Sequence, residues 1–213
     1  MILEERLITY LNSLYPELTE VLRQIETQAL ADEVPIIRKE TQNLLRVLLK
    51  LHAPKQILEV GTAVGFSAIL MSEYGPKDCH VTTIEKYEKR FDTARANFKR
   101  AGKEDRITFL TGDATDVLKT LQGPFDMIFM DAAKGQYIHF LPEIMRLLAP
   151  GGLIVSDNVL RDGEILESRF AVTRRNRTIH ARMREYLYTI THDPELDTTI
   201  LPVGDGVALS VRG

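Results

Sequence analysis

Five short runs rich in Val, Ile and Phe alternate with segments of helical length, and this alternation restricts the fold more than any other feature. The runs are QILEV (56–60), HVTTI (80–84), RITFL (106–110), DMIFM (126–130) and GLIVS (152–156), separated by helical-length stretches at 67–74, 86–101, 114–121 and 137–148. Strand–helix–strand units cross over right-handed, so the predicted strands lie parallel in one sheet with helices on both faces. Near-continuous apolar strands fit a sheet buried on both sides. The end of the chain differs: TTILPV (198–203), GDG and VALSV (207–211) read as a hairpin. The expected sheet is therefore α/β, mostly parallel and seven-stranded, with an antiparallel element last. Ahead of it, residues 3–30 carry Leu3, Leu7, Leu11, Leu14, Leu18, Leu22 and Ile25 on one helical stripe that Pro16 divides, and 36–51 repeat the pattern. This predicts one domain over 1–213, a helical cap (1–52) on an α/β core (53–213).

In open α/β sheets, ligands collect at the carboxyl ends of the strands. The first strand leads into LEVGTAVGFS, with Glu59, Gly61, Gly65 and Ser67. Glycines there let backbone N–H groups approach a ligand, and the helix that follows favours an anion. The spacing is G-x-x-x-G, so the dinucleotide fingerprint G-x-G-x-x-G fails. The second strand ends at Glu85, placed to accept both hydrogen bonds of a ribose diol. The third leads into TGDATD, where Asp113 reads equally as an adenine contact or as a helix N-cap. The fourth ends at Asp131 with Lys134 three residues on, and the fifth at Asp157 and Asn158. Three oxygen ligands without His or Cys suit a hard cation such as Mg²⁺. Two carboxylates that converge repel unless a cation or a proton lies between them. An Asp131–Lys134 ion pair alone would leave Asp157 and Asn158 unexplained.

Composition excludes other classes. The net charge of −3 gives no global case for nucleic-acid binding, and one cysteine, Cys79, allows neither a disulfide framework nor a cysteine zinc site. The five histidines lack metal-ligand spacing. No apolar run approaches the length of a membrane span, and a cytoplasmic enzyme is expected.

Taken together, ILEVGTAVGFSA, TTIEKYEKRFDTARANF, GDA, FDMIFMDAAKGQY, GGLIVSDNVL and LPVGDGVALS resemble the class I S-adenosylmethionine-dependent methyltransferases, and more narrowly the metal-dependent catechol-type O-methyltransferases. The resemblance covers residues 30–213. EVPII, DAAKGQY and the Arg-rich TRRNRTIHARMREY are similar to bacterial methyltransferases of wobble 5-hydroxyuridine in tRNA. The resemblance implies a Rossmann-like methyltransferase fold with strand order 3-2-1-4-5-7-6 and a homodimer. It implies that Gly61, Gly65 and Ser67 serve the methionine end of S-adenosylmethionine, Glu85 the ribose, and Asp113 with Ala114 the adenine, with Glu59 also among the cofactor-binding residues. It places Ile37, in the helix after EVP, over the cofactor. It gives Asp131, Asp157 and Asn158 to the metal, Asp131 also to the cofactor side, and Lys134 the part of general base. That last role requires an amine whose pKa is lowered by a partly buried, cation-adjacent site.

A metal-chelated acceptor needs two adjacent oxygens, and both a catechol and a tRNA 5-hydroxyuridine offer them. The stretch 161–184 carries Arg161, Arg169, Arg174, Arg175, Arg177, Arg182 and Arg184, and no lysine follows Lys134. Guanidinium groups beside the active edge can grip phosphates, so tRNA is the expected partner, with Arg174, Arg175 and Arg177 as substrate contacts and a small catechol as the alternative. The same arginines can instead decorate a helix with Ile179, Met183, Tyr186 and Leu187 inside.

Overall fold

The computed structural model describes residues 4–168 and 171–213, so Leu3 and Arg169 lie outside the described residues. Three helices come first: α1 (Glu5–Leu14), α2 (Glu20–Ala31) and α3 (Lys39–His52). The core then runs β1 (Gln56–Val60), α4 (Phe66–Tyr74), β2 (His80–Glu85), α5 (Phe91–Arg100), β3 (Ile107–Thr111), α6 (Ala114–Thr120), β4 (Phe125–Met130), α7 (Tyr137–Leu147), β5 (Leu148–Ser156), α8 (Arg177–His192), β6 (Leu196–Leu201) and β7 (Val207–Arg212). Short 3-10 turns at Glu88–Arg90, Lys134–Gln136 and Arg161–Leu166 interrupt the connections.

The strands form one seven-stranded sheet in the order β3-β2-β1-β4-β5-β7-β6. β1 through β5 pair in parallel, and β7 pairs antiparallel with both β5 and β6. Strand alternation divides the core in two. Leu58, Val60, Ile128, Met130 and Ile154 point to one face, where Leu118, Ile144 and Met183 of α6, α7 and α8 cover them. Ile57, Val81, Met127, Phe129 and Val155 point to the other, beneath Ile25, Leu45, Ile69 and Phe98 of α2, α3, α4 and α5. Leu58 and Ile128 are fully buried, a burial worth roughly 1.5–3 kcal/mol for each side chain.

The order reverses between β1 and β4. After β1 the chain builds outward to β2 and β3, then returns to lay β4 on β1's free side. The crevice beyond that pair is where a doubly wound sheet receives a ligand. No helix among the described residues is long and apolar enough to cross a membrane.

Candidate active site

The crevice at the reversal is a cleft of about 780 Å³. At one end it is lined by Gly61, Ala63, Glu85, Tyr87, Asp113 and Ala114, and at the other by Asp131, Lys134 and Asn158. It therefore joins residues from the ends of all five parallel strands.

Gly61 is where backbone meets backbone. Its φ is +108°, and a Cβ there would stand 2.2 Å from the Asp131 carbonyl oxygen, so only glycine lets β1 and β4 diverge this closely. Gly65 is not part of the cleft lining: it caps α4 at φ +86°, and a Cβ would strike the Phe98 ring at 2.6 Å. Glu85 ends β2 with both carboxylate oxygens engaged by backbone. Oε2 accepts from Ala63 N at 2.7 Å, and Oε1 accepts from Lys86 N at 2.9 Å and Tyr87 N at 2.8 Å. Three amide donors orient it rigidly toward the cleft it lines. Asp113 accepts from Thr115 N at 2.9 Å as the N-cap of α6 and also meets the Lys86 ammonium at 3.4 Å. The Thr115 backbone bond chiefly holds its carboxyl below the ordinary value.

Glu59, Ser67 and Ile37 lie elsewhere than at the cleft wall. Side chains alternate along β1, so Glu59 points to the α4 face while Leu58 and Val60 point to the other. It is fully buried, and across the β1–β2 register Thr83 donates to its Oε2 at 2.5 Å. Burial pushes its carboxyl up to about 7, against the downward pull of the Ser67 and Thr83 hydroxyls. Ser67, in the first turn of α4, is likewise buried. Ile37 is not in a helix: α3 begins at Lys39, capped by Arg38, and Ile37 precedes it as a buried core residue. Pro35 lines the cleft instead. The helical spacing of Ile36 and Ile37 overstated α3: Arg38 is extended at ψ 156°, so the helix starts only after it.

At the other end, Asp131 follows β4, its N–H bonded to the Val60 carbonyl at 3.0 Å. Asp157 follows β5, its N–H bonded to Met130 O at 3.0 Å, so the two acidic residues hang from adjacent strands. Asn158 takes φ +59°, a left-handed conformation that Asn tolerates, and lines the cleft. Thr41, in the first turn of α3, donates to Asp157 Oδ1 at 3.4 Å. Burial first, and then the neighbouring Asp131 charge, push the Asp157 carboxyl up to about 7.

The expected lowered pKa of Lys134 is not met. Its Nζ donates to Asp131 Oδ1 at 2.6 Å, to Tyr137 Oη at 3.0 Å and to Asp157 O at 3.3 Å. Desolvation pulls its pKa down, but the Tyr137, Asp131 and Asp157 oxygens outweigh it and hold the amine charged well above its ordinary value. Lys134 is also the counter-charge to Asp131 that the paired carboxylates need. Tyr137 carries part of this: its hydroxyl lies 2.8 Å from Met130 O and 3.1 Å from Asp157 O, tying the ends of β4 and β5 together.

Among the described residues no group of three His, Cys, Asp or Glu side chains is arranged to hold a metal ion. The candidate set is two carboxylates and an amide. Its chemistry fits a hard divalent cation: every donor is oxygen, and the Asp131 charge beside buried Asp157 is a repulsion that a shared cation would relieve.

The predicted substrate arginines separate. Arg174 and Arg175 are exposed in the turn before α8. Arg177 Nε donates to Val172 O at 3.3 Å, Arg182 Nη1 to Gly135 O at 3.2 Å and Arg184 Nη1 to Ile165 O at 3.5 Å. Arg161 pairs with Glu164 at 2.7 Å. Most of the apparent basic patch thus braces the segment around α8.

Comparison with known proteins agrees with this geometry. Residues 11–213 match the family model described as O-methyltransferase. The chain is 42% identical over 127 residues to a catechol O-methyltransferase of Niastella koreensis, 58% of each protein. It is 37% identical over 190 residues to a catechol O-methyltransferase of Mycobacterium tuberculosis, covering 85% of this chain and 83% of that one. The crystal structure of a Bacillus cereus O-methyltransferase in complex with SAH superimposes with a TM-score of 0.85 at 27% identity, covering 96% of each chain. The chain belongs to the O-methyltransferase family.

Proposed function

We propose that the protein moves the methyl group of S-adenosylmethionine to one oxygen of a catechol-type acceptor with the help of a divalent cation. The observation that carries this reading is the sharing of one cleft: Glu85 at one end, Asp131, Lys134 and Asn158 at the other, with Asp157 alongside. When bound, the sulfonium supplies an activated methyl group, and the cation acidifies a hydroxyl and holds two adjacent oxygens.

The chain's own residues do the rest. Glu85, fixed by three amides, accepts the ribose hydroxyls, and Asp113 and Ala114 border the adenine. Asp131, Asp157 and Asn158 are the cation's ligands. Lys134 is an ammonium held by Asp131, Tyr137 and the Asp157 carbonyl. With a cation held by Asp131, Asp157 and Asn158, the hold of Asp131 on the Lys134 ammonium would weaken, and Lys134 would be placed to take the proton of the acceptor hydroxyl. The acceptor oxygen, its proton passed to Lys134, would then take the methyl group, with the sulfur of S-adenosylmethionine leaving as a neutral thioether.

A wobble 5-hydroxyuridine in tRNA offers the same pair of oxygens, and the exposed Arg174 and Arg175 favour that second reading. It is the weaker one, because the other arginines contact carbonyls and Glu164, and the named relatives act on catechol. The test is methyl transfer from S-adenosylmethionine to a panel of catechols and to tRNA, with and without magnesium, read by mass spectrometry. Magnesium-dependent methylation of a catechol at a rate little changed by salt is expected. An RNA acceptor gripped through Arg174 and Arg175 would instead lose about 10-fold in affinity between 50 and 200 mM salt. No methylated catechol under any condition would overturn the first reading.

A further inference from the structure

Lys134 rides on a weak element. The 3-10 turn Lys134–Gln136 has three residues, and such turns have little stability of their own. Its amine must nonetheless keep its place between Asp131 Oδ1 and the Asp157 carbonyl. The support comes from α8. Arg182 Nη1 donates to the Gly135 carbonyl at 3.2 Å, one residue beyond Lys134. Ile179, one turn earlier on α8, lies so near that a methyl group built on Gly135 would come 3.4 Å from its side chain. α8 is in turn fixed to the sheet. The Tyr186 and Ser156 hydroxyls are 2.6 Å apart, and the Tyr186 ring meets that of Tyr137 edge-on at 5.4 Å. Ser156 immediately precedes Asp157. One helix therefore fixes both partners of the Lys134–Asp157 contact, the turn through Arg182 and the strand end through Tyr186.

We propose that Arg182 is a positioning residue for Lys134, acting through the Gly135 carbonyl. The proposal rests on the methyl-transfer reading, in which Lys134 faces the acceptor oxygen. Arg182 does not itself reach the cleft, so it holds the amine in place without touching the acceptor. A guanidinium suits the task because its planar, rigid donor set reaches a carbonyl from a neighbouring helix with little freedom left to lose. Misplacement of a reacting group by about 1 Å costs on the order of 10²-fold in rate.

Arg182→Met and Arg182→Lys test this in the full chain. Steady-state turnover with S-adenosylmethionine, magnesium and catechol is measured beside hydrogen exchange of the 131–137 segment. With Arg182→Met, kcat should fall about 10- to 100-fold while the KM for S-adenosylmethionine stays unchanged, and exchange at 135–137 should quicken while 56–61 stays protected. Arg182→Lys, which keeps one donor, should recover much of both. Wild-type kcat and exchange in Arg182→Met would overturn the proposal. So would quickened exchange throughout the sheet, which would make Arg182 a general stabiliser. A wild type that turns over no catechol refutes the acceptor reading instead, and the exchange comparison still decides whether Arg182 holds the turn.

Discussion

The two ends of the cleft treat their carboxylates in opposite ways. At the cofactor end, Glu85 receives three backbone N–H groups and Asp113 receives Thr115 N, so both charges are settled by the main chain before any ligand arrives. At the acceptor end, Asp131 leans on one lysine, and Asp157 is buried beside it with a carboxyl raised to about 7. One end is preorganised, whereas the other carries a repulsion that a cation would cancel. The largest expected effect lies at that second end. Asp157→Asn should lower methyl transfer on the order of 10³-fold, since a cation's contribution to such chemistry is several kcal/mol. Isothermal titration with magnesium should show the loss of binding directly, and unchanged turnover in that variant would remove the contrast altogether.

Breaking the other end should give a smaller and different loss. Glu85→Ala removes the proposed ribose acceptor and leaves Ala63, Lys86 and Tyr87 N–H groups without their partner. Hydrogen bonds to a charged group are worth about 1.5–3 kcal/mol, so affinity for S-adenosylmethionine should fall about 10- to 100-fold. Magnesium binding should be unaffected. Calorimetry that shows both ligands weakened equally would mean the two ends are not separate.

Beneath the cofactor end lies a third carboxyl, Glu59, which sharpens the comparison through pH. Its folded value of about 7 exceeds the ordinary 4.5, so between those values the folded state binds the extra proton. Stability from this group is thus greatest below pH 4.5 and is lost as pH rises through 7. Glu59→Gln has no proton to lose. Relative to wild type, the variant should gain stability between pH 5 and pH 8, by at most about 3 kcal/mol. Denaturant midpoints at the two pH values measure this, and a difference independent of pH would show that the buried carboxyl does not titrate there.

Strand alternation and the polar residues at strand ends were legible because they are local: a period of two, a period of 3.6, and the polar residues just past each strand. That sufficed for seven mostly parallel strands with an antiparallel end and for the meeting of Asp131, Asp157 and Asn158 at one edge, whereas the strand order came from the resemblance to class I methyltransferases. The same alternation, applied to Glu59, would have turned it away from the cleft, since Leu58 and Val60 occupy the opposite face. Other features depend on long-range packing that spacing does not encode. Thr41 reaches Asp157 across 116 positions, and the Tyr137 hydroxyl bridges two strand ends rather than merely packing. Arginine clustering at 174–184 looked like a phosphate grip because carbonyl partners such as Gly135 O and Ile165 O leave no trace in the order of side chains.

The smallest effect tests whether the cofactor end really is held by backbone. Lys86 and Asp113 form an ion pair at 3.4 Å, with side chains 60% and 47% exposed. Exposed pairs of this kind contribute about 0–1 kcal/mol and are screened at physiological salt. The Thr115 N–H contributes more than Lys86 to keeping Asp113 ionised. Lys86→Met should therefore change the affinity for S-adenosylmethionine by no more than a few-fold, and the change should shrink further as salt is raised. A loss comparable to that of Glu85→Ala would show that side-chain charge organises this end too, and that the cofactor and acceptor ends differ in degree rather than in kind.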